Sequence, residues 1–259
     1  MSGLTWIHLS DWHHKKDFGI DPEVVRDGLL RDIRERSSCI SPDLEKIDFI
    51  VFSGDAASGG QAGEYEDAKK EFFERILEAA GDVSPHRLFI VPGNHDLDEA
   101  KLKALPAEYL KDAPTKDKVD QWLKDDAKRL QLLQPFEDFK SFVSGYTGQN
   151  SPDYSNTKSW SINGKTVSLL GINSAWFCRR HLEAGKWNDY GLARVGERQI
   201  HGPLEDISKS DLRIAVLHHS KEWLEYYDGE DVWKRLKKSC HFILHGHGHE
   251  LDVSAERGT

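Results

Sequence analysis

The segment His241–Glu250, HFILHGHGHE, places a short apolar run directly before three histidines at alternate positions. Alternate residues of an extended chain face the same side, so imidazoles two residues apart can be directed at one point. The intervening glycines remove side-chain bulk and allow the backbone to bend sharply. The pattern indicates either a polar surface tail or a metal site, and the rest of the chain has to decide between them.

The same order, an apolar run followed by a polar cluster, recurs along the chain. The other pairs are LTWIHL before SDWHH, KIDFIVF before SGDAASGG, RLFIV before PGNHD, VSLLGI before NSAWF, and LRIAVL before HHS. Continuous runs of Ile, Val, Leu and Phe predict strands that are covered on both faces. Between them we expect one helix from Pro22 to about Arg36 and another over EYEDAKKEFFERILEAAG, which ends at Gly81. Alternating strands and helices predict a layered α/β fold.

Two segments depart from this alternation. Residues 97–145 contain no strand-like run and carry apolar residues at helical intervals, so we expect an inserted helical cap, interrupted near Pro135. Its predicted apolar stripe comprises Trp122, Leu130, Leu133, Phe136, Phe139 and Phe142. Asn163-Gly164 lies between alternating apolar positions and predicts a β-hairpin, which makes the sheets mixed. No repeat or linker divides the chain, so we interpret residues 1–259 as one domain.

The composition limits the class of protein. No segment approaches the roughly 20 apolar residues of a membrane span, and the N-terminus does not have the form of a signal peptide. Cys39, Cys178 and Cys240 are scattered and odd in number, which favours reduced thiols and a cytoplasmic location. The net charge of −9 argues against a dedicated duplex-DNA-binding domain. It does not exclude nucleic acid as a substrate, because bound metal ions would add local positive charge.

The polar clusters follow the predicted strands, and in open α/β sheets ligands gather beyond the carboxyl ends of strands. The side chains with donor atoms there are Asp11, His13, Asp55, Asn94, His95, Asp96, His218, His219, His245, His247 and His249. Oxygen and imidazole donors without thiolates suit Mn, Fe, Zn, Ni or Mg. Each cluster alone is typical of a turn or a helix cap, but five such clusters in order favour a site for two ions that share a carboxylate.

In this order the clusters closely resemble the motifs of the calcineurin-like metallophosphoesterase family. The motifs are Asp11-Trp12-His13, Gly54-Asp55, Gly93-Asn94-His95-Asp96, His218-His219 and Gly246-His247-Gly248-His249, within about residues 4–250. The resemblance implies a four-layer α/β/β/α sandwich with mixed sheets and a dinuclear metal centre. Family members usually continue with further strands after the last motif. We therefore expect this chain to be the N-terminal catalytic part of a longer bacterial-type protein, truncated at its C-terminus.

The resemblance also implies a role for each motif residue. The metal ligands would be Asp11, His13 and His249 on the first ion, Asn94, His218 and His247 on the second, and Asp55 on both. His95 would act beside the phosphate as an acid or stabilising group, with Asp96 orienting it. We also expect substrate contacts from His219, Arg179 and Arg180, although a solvated loop is an alternative interpretation of the two arginines. Manganese is the expected ion, with Fe, Zn, Ni and Mg as alternatives.

The expected activity is hydrolysis of phosphoesters by a metal-activated hydroxide, with phosphodiesters in nucleic acids or nucleotides favoured. The form GNHD is commoner among diesterases and nucleases of the family, whereas its Ser/Thr phosphatases typically contain G-N-H-E. A phosphomonoesterase or protein phosphatase and a non-catalytic scaffold with the same fold are the alternatives. The sequence shows no aromatic-plus-basic platform for bases, so cyclic nucleotides, DNA, RNA and other phosphoesters all stay open as substrates.

Overall fold

The computed structural model describes residues 3–13, 22–110, 115–149, 154–178 and 189–248. Within these residues the strands form two sheets. The first sheet is parallel and consists, in spatial order, of β1 (Trp6–Leu9), β2 (Phe49–Phe52) and β3 (Leu88–Ile90). The second consists of β4 (Ser155–Ile162), β5 (Lys165–Ile172), β6 (Leu212–Val216) and β7 (Phe242–Leu244). In it β4 is antiparallel to β5, and β5, β6 and β7 are mutually parallel, so this sheet is mixed as predicted.

Helices connect and cover the strands. The described α-helices are α1 (Pro22–Cys39), α2 (Ala62–Ala68), α3 (Glu74–Ala79), α4 (Glu99–Lys103), α5 (Ala107–Leu110), α6 (Lys116–Lys124), α7 (Asp126–Leu132), α8 (Glu137–Thr147), α9 (His201–Asp206) and α10 (Tyr226–Ser239). A π-helical turn, Lys69–Phe73, joins α2 to α3, so the second predicted helix is one continuous but locally widened element. None of the described helices is both long and apolar enough to cross a membrane.

The two sheets pack face to face, and helices cover their outer faces. Successive side chains of a strand point to opposite faces. Phe49 and Val51 of β2 therefore pack with Leu169 of β5 in a core between the sheets. Ile50 of β2 and Leu170 of β5 point the other way and join the larger core beneath the helices. This arrangement confirms the predicted α/β/β/α sandwich.

The hairpin between β4 and β5 is confirmed at the predicted position. Ile162 pairs with Lys165, which leaves a two-residue connection. Asn163 has φ of 52° and Gly164 has φ of 76°, the left-handed conformation at both positions that a type I′ turn requires. The residues that predict the hairpin are therefore the residues that make it.

The segment 97–145 holds helices α4 to α7 and most of α8, and its described residues form no strand. A short 3₁₀ turn, Gln134–Phe136, interrupts the helices at Pro135, as expected. The predicted apolar stripe is buried at Trp122, Leu133, Phe136, Phe139 and Phe142.

The prediction for Leu130 is wrong, because 53% of its surface is exposed and it does not belong to the buried stripe. Asp125 ends α6 and caps α7, where its side chain accepts hydrogen bonds from the backbone N–H groups of Ala127 and Lys128. A new helix thus begins at Asp126. The helical spacing counted from Trp122 in α6 therefore does not predict which face of α7 is buried.

Candidate metal centre

Backbone hydrogen bonds join the loops that follow β1 and β2. The N–H of Asp11 donates to the carbonyl of Gly54 (3.0 Å), and the N–H of His13 donates to the carbonyl of Asp55 (3.1 Å). Both loops leave the carboxyl edge of the parallel first sheet. Main-chain hydrogen bonds alone therefore hold the first two motifs side by side.

The loops of the second sheet are tied to those of the first. Nδ1 of His218, just beyond β6, lies 2.8 Å from the carbonyl oxygen of Ser53, just beyond β2. The N–H of His247, just beyond β7, donates to Oδ2 of Asp11 (3.0 Å). These contacts bring the strand ends of both sheets to one place, so the candidate ligands come from both halves of the sandwich.

Three candidate ligands adopt the left-handed backbone conformation, which costs roughly 1–2 kcal/mol for a residue with a side chain. The φ angles are 59° at Asp11, 62° at Asp55 and 69° at His247. Strained backbone of this kind concentrates at functional sites, where the surrounding structure enforces it. The three residues lie just beyond β1, β2 and β7, where the loops of the site begin.

Two motif glycines allow close approach of neighbouring loops. A Cβ on Gly54, which has φ of 106°, would lie 2.5 Å from Nδ1 of His218. A Cβ on Gly93 would lie 2.1 Å from Oδ1 of Asp55. Neither position has room for a side chain, so these two glycines determine how closely His218 and Asp55 pack within the site.

The candidate ligand atoms form three overlapping groups, in each of which the atoms lie within 4.8 Å of one another. The groups are Asp11, Asp55 and His218; His13, Asp55 and His95; and His218, His219 and His247. Nε2 of His218 lies 3.2 Å from Oδ2 of Asp55 and 3.1 Å from Nδ1 of His247. Asp55 and His218 each belong to two groups, so they occupy the middle of the cluster.

The electrostatics of Asp55 and His218 favour a bound cation. A carbonyl can only accept, so Nδ1–H of His218 donates to Ser53 and Nε2 is the atom that faces Asp55. Burial lowers the pKa of His218, but the Asp55 carboxylate outweighs burial and raises this pKa to about 9. Burial likewise opposes ionisation of Asp55, yet the imidazoles of His218, His95 and His13 hold its pKa below the usual range. A metal ion at Nε2 would take the place of the proton there.

Two further oxygen donors support the fit to metal ions. Oδ1 of Asp11 and Oδ1 of Asn94 are buried, and neither has a hydrogen-bond partner among the described residues. A buried acceptor left without a partner costs about 1–3 kcal/mol. Together with imidazoles, such oxygens are suitable ligands for Mn, Fe, Zn or Ni, so the donor set fits a metal centre.

Asp96 supports the loop that carries Asp55. Its carboxylate accepts hydrogen bonds from the backbone N–H groups of Asp55 (2.9 Å), Ala57 (3.0 Å) and Gly93 (2.9 Å). It also accepts one from the hydroxyl of Tyr65 (3.2 Å). Burial and the nearby Asp55 carboxylate raise the pKa of Asp96 to about 7, against the opposing effect of these N–H donors. Tyr65 approaches from α2, and no sequence motif predicts this contact.

The ring of His95 contacts a backbone carbonyl, and its expected orientation by Asp96 stays a prediction. Nδ1 of His95 lies 3.2 Å from the carbonyl oxygen of Ser58, so Nδ1 carries the proton that it donates there. The N–H of His95 donates to Oδ1 of Asp55 (2.7 Å). Ser58 therefore orients the ring, with Nε2 as the nitrogen that can exchange a proton.

His219 is fully buried, in contrast with the expected substrate contact. Its Nδ1 lies 2.9 Å from the hydroxyl of Ser174, and its Nε2 lies 3.7 Å from the thiol of Cys178. Its ring is 4.5 Å from that of His247, so it packs against a candidate ligand. This position favours packing behind the centre over contact with substrate.

An aromatic pair that no sequence motif predicts borders the centre. The ring of Trp223 lies 4.1 Å from the ring of His247, and the ring of Tyr190 lies 5.3 Å from that of Trp223. Tyr190 and Trp223 are distant in the sequence and meet only through the fold. His249, Arg179 and Arg180 lie outside the described residues, and their roles stay predictions.

The family model for calcineurin-like phosphoesterases matches residues 4–251, and the chain belongs to this family of metal-dependent phosphoester hydrolases. It is 23% identical over 266 residues to the uncharacterized metallophosphoesterase-like protein YydB of Bacillus subtilis. The match covers 99% of this chain and 51% of YydB, so the chain spans about half the length of that relative.

Two solved structures are similar at low identity. One is a provisionally assigned 5′-nucleotidase from Staphylococcus aureus, solved in complex with α-ketoglutarate. Its TM-score is 0.48 at 12% identity, and the match covers 96% of this chain and 46% of the nucleotidase chain. The other is GAP50, the anchor in the inner membrane complex of Plasmodium, with a TM-score of 0.41 and 14% identity, covering 93% and 64% of the two chains.

Proposed function

We propose that this chain hydrolyses phosphodiesters in nucleic acids or nucleotides, using two divalent metal ions. The observation that carries the proposal is the position of Asp55. It lies within 4.8 Å of ligand atoms from Asp11 and His218 in one group and from His13 and His95 in another. A carboxylate between two sets of donors is suited to two ions that share it.

The donors divide between the two ions as follows. Asp11, His13 and His249 would hold the first, Asn94, His218 and His247 the second, and Asp55 both. Bound there, two ions supply positive charge for the phosphoryl oxygens and lower the pKa of a water molecule towards neutrality. Manganese is the ion that we propose, because oxygen and imidazole donors are mixed in this set.

His95 would act on the phosphate through Nε2. Its Nδ1–H is directed at the carbonyl of Ser58, which fixes the plane of the ring. Its backbone N–H donates to Oδ1 of Asp55, so the main chain of His95 is tied to the shared carboxylate. In this position a protonated Nε2 can donate to a phosphoryl oxygen or to the leaving group, which is the work of a general acid.

The charge of the chain indicates where substrate affinity arises. With a formal net charge of −9, the surface as a whole repels a polyanion. Long-range attraction to a nucleic-acid backbone is therefore weak, and the metal centre provides the main positive charge for a phosphate. This favours recognition of one phosphodiester at the centre over a grip on an extended duplex.

The test is turnover of bis-p-nitrophenyl phosphate and of p-nitrophenyl phosphate by metal-free protein supplied with Mn²⁺, Ni²⁺, Zn²⁺ or Mg²⁺. We expect the diester to be the better substrate and Asp55→Asn to abolish its turnover and reduce the bound metal. Asp82→Asn is the matched control, since Asp82 is also left-handed (φ 56°) but lies exposed at the end of α3.

A faster monoester reaction would overturn the assignment to diesters and favour a phosphomonoesterase. Failure to hydrolyse either ester with any of the four ions would favour a non-catalytic scaffold. Equal loss of activity in Asp55→Asn and Asp82→Asn would contradict the position given to Asp55.

A further inference from the structure

We propose that Tyr190 and Trp223 form a stacking platform for the planar ring of a nucleotide-type substrate whose phosphate lies at the metal centre. The inference rests on the proposed function and specifies the substrate class at that site. Aromatic side chains bind bases by stacking, which tolerates different bases because each has a π-face.

The platform lies directly beside a proposed metal ligand. The ring of Trp223 meets the ring of His247 edge-to-face at 4.1 Å and 85°. The ring of Tyr190 in turn meets that of Trp223 at 5.3 Å and 76°. Trp223 is half-buried, whereas 59% of Tyr190 is exposed. In this proposal the phosphate lies at the centre and the base, one sugar away, lies against these two side chains.

The backbone holds Tyr190 in a tight turn. The N–H of Leu192 donates to the carbonyl of Asp189 (2.9 Å), and Gly191 has φ of 71° in the third position of this turn. A positive φ at that position is characteristic of a type II turn and is met by glycine without strain. Tyr190 is therefore presented at the corner of a defined turn.

The segments that carry the two rings are joined to each other. Ala193 and Leu224 form a β-bridge, in which the N–H of Ala193 donates to the carbonyl of Trp223 (3.2 Å). The N–H of Glu225 completes it by donating to the carbonyl of Ala193 (2.9 Å). Because these bonds hold the two segments together without a ligand, ligand binding loses little conformational entropy in ordering them.

Two described cations near the platform already form ion pairs. Nζ of Lys221 lies 2.6 Å from Oε1 of Glu230, and the guanidinium of Arg194 lies 2.9 Å from a carboxylate oxygen of Glu225. In this part of the described structure the surface presents rings more readily than uncompensated positive charge. Its chemistry therefore suits the base of a nucleotide better than a second phosphate.

Binding of metal-loaded protein to two ligands tests the platform without turnover. Thymidine 5′-monophosphate and 2-deoxyribose 5-phosphate carry the same sugar and phosphate, and the thymine base distinguishes them. We expect calorimetric titration to show about 5- to 150-fold tighter binding of the nucleotide, the range that stacking of one base provides. Tyr190→Ala should remove most of this preference while leaving the sugar phosphate bound as before.

Tyr190→Phe retains the ring and should keep the preference. Tyr227→Ala is the matched control, since Tyr227 is similarly exposed (57%) but its ring contacts Tyr226. Hydrolysis gives a second readout. The ratio of kcat/KM for thymidine 5′-(p-nitrophenyl phosphate) over methyl p-nitrophenyl phosphate, which share a leaving group, should fall in Tyr190→Ala alone.

The outcomes separate this inference from the proposed function. Turnover of both esters with no preference for the nucleoside ester would overturn the platform and leave the diesterase intact. A base-dependent affinity that Tyr190→Ala removes, without turnover of either ester, would support the platform and overturn the proposed activity. Equal effects of Tyr190→Ala and Tyr227→Ala on the preference would refute the role of Tyr190.

Discussion

Replacement of Gly93 by alanine is a sharp test of the position of Asp55, because it adds a single methyl group against the carboxylate. Gly93 has φ of −108° and ψ of −174°, an extended conformation that alanine adopts without strain. The effect of the substitution therefore comes from space alone. The added Cβ would lie 2.1 Å from Oδ1, 2.8 Å from Cγ and 2.7 Å from the backbone nitrogen of Asp55.

The size of the displacement follows from these contacts. Cβ atoms essentially never approach another atom within 3.0 Å, so Oδ1 must retreat by at least the difference between 3.0 Å and 2.1 Å, about 0.9 Å. Oδ1 accepts the 2.7 Å hydrogen bond from His95, and Oδ2 lies 3.2 Å from Nε2 of His218. A shift of this size disturbs both contacts. Misplacement by about 1 Å in an active site can cost roughly 10²-fold in rate.

The assays are metal affinity by titration of the metal-free protein, diester turnover and thermal unfolding. For Gly93→Ala we expect metal affinity to fall about 10- to 100-fold, as when groups that orient metal ligands are altered. We expect turnover to fall at least as much, and crowding to cost about 1–3 kcal/mol of stability. Gly145→Ala is the control, because Gly145 lies in α8 with nothing within 4 Å of an added Cβ and should gain about 0.5–1 kcal/mol. Wild-type metal affinity and turnover in Gly93→Ala would refute the packing of Asp55 described above.

Three further predictions concern other parts of the molecule. His95→Ala should keep the bound metal but lose about 10²–10⁴ in rate, since it removes a positioned acid; loss of metal in elemental analysis would instead make His95 a ligand. Leu133→Ala should lower the free energy of unfolding by about 2–5 kcal/mol in denaturant titration, whereas Leu130→Ala, at an exposed position three residues away, should have little effect. Of the three thiols, the exposed Cys39 should react fastest with a disulfide reagent in the native protein. Burial raises the pKa of the Cys178 thiol well above its usual range and that of the Cys240 thiol to about 11, so both hold less of the reactive thiolate. Fast labelling of all three thiols would contradict this prediction.

Much of the fold was predictable because its signals are local. A β-hairpin is specified by the dipeptide Asn163-Gly164, whose residues must both adopt positive φ. The strand runs are continuous apolar segments, and a strand buried on both faces requires such a segment. Leu130 could not be placed in this way, because its exposure depends on where Asp125 restarts a helix.

The site was predictable in its residues and less so in their contacts. The motifs place Asp11, Asp55 and His218 at strand ends, and the structure brings them within 4.8 Å. By contrast, the contact of His95 with Ser58 involves a backbone carbonyl, which no side-chain pattern reports. The contact between Tyr190 and Trp223 joins residues that lie far apart in the chain, so no local spacing can indicate it.

The placement of the site at the junction of two sheets links metal binding to the packing of the whole sandwich. The first sheet contributes Asp11 and Asp55 from left-handed turns, and the second contributes His218 and His247. The separation of these two sets is set by the apolar layer between the sheets together with the contacts of His218 with Ser53 and of His247 with Asp11, which join the strand-end loops. Because that layer is close-packed, it holds the two sheets at a constant spacing, and the contacts between the loops add to this restraint. The strain in the ligand turns can therefore persist, since neither sheet can move away to relieve it, and the donors stay preorganised for cations.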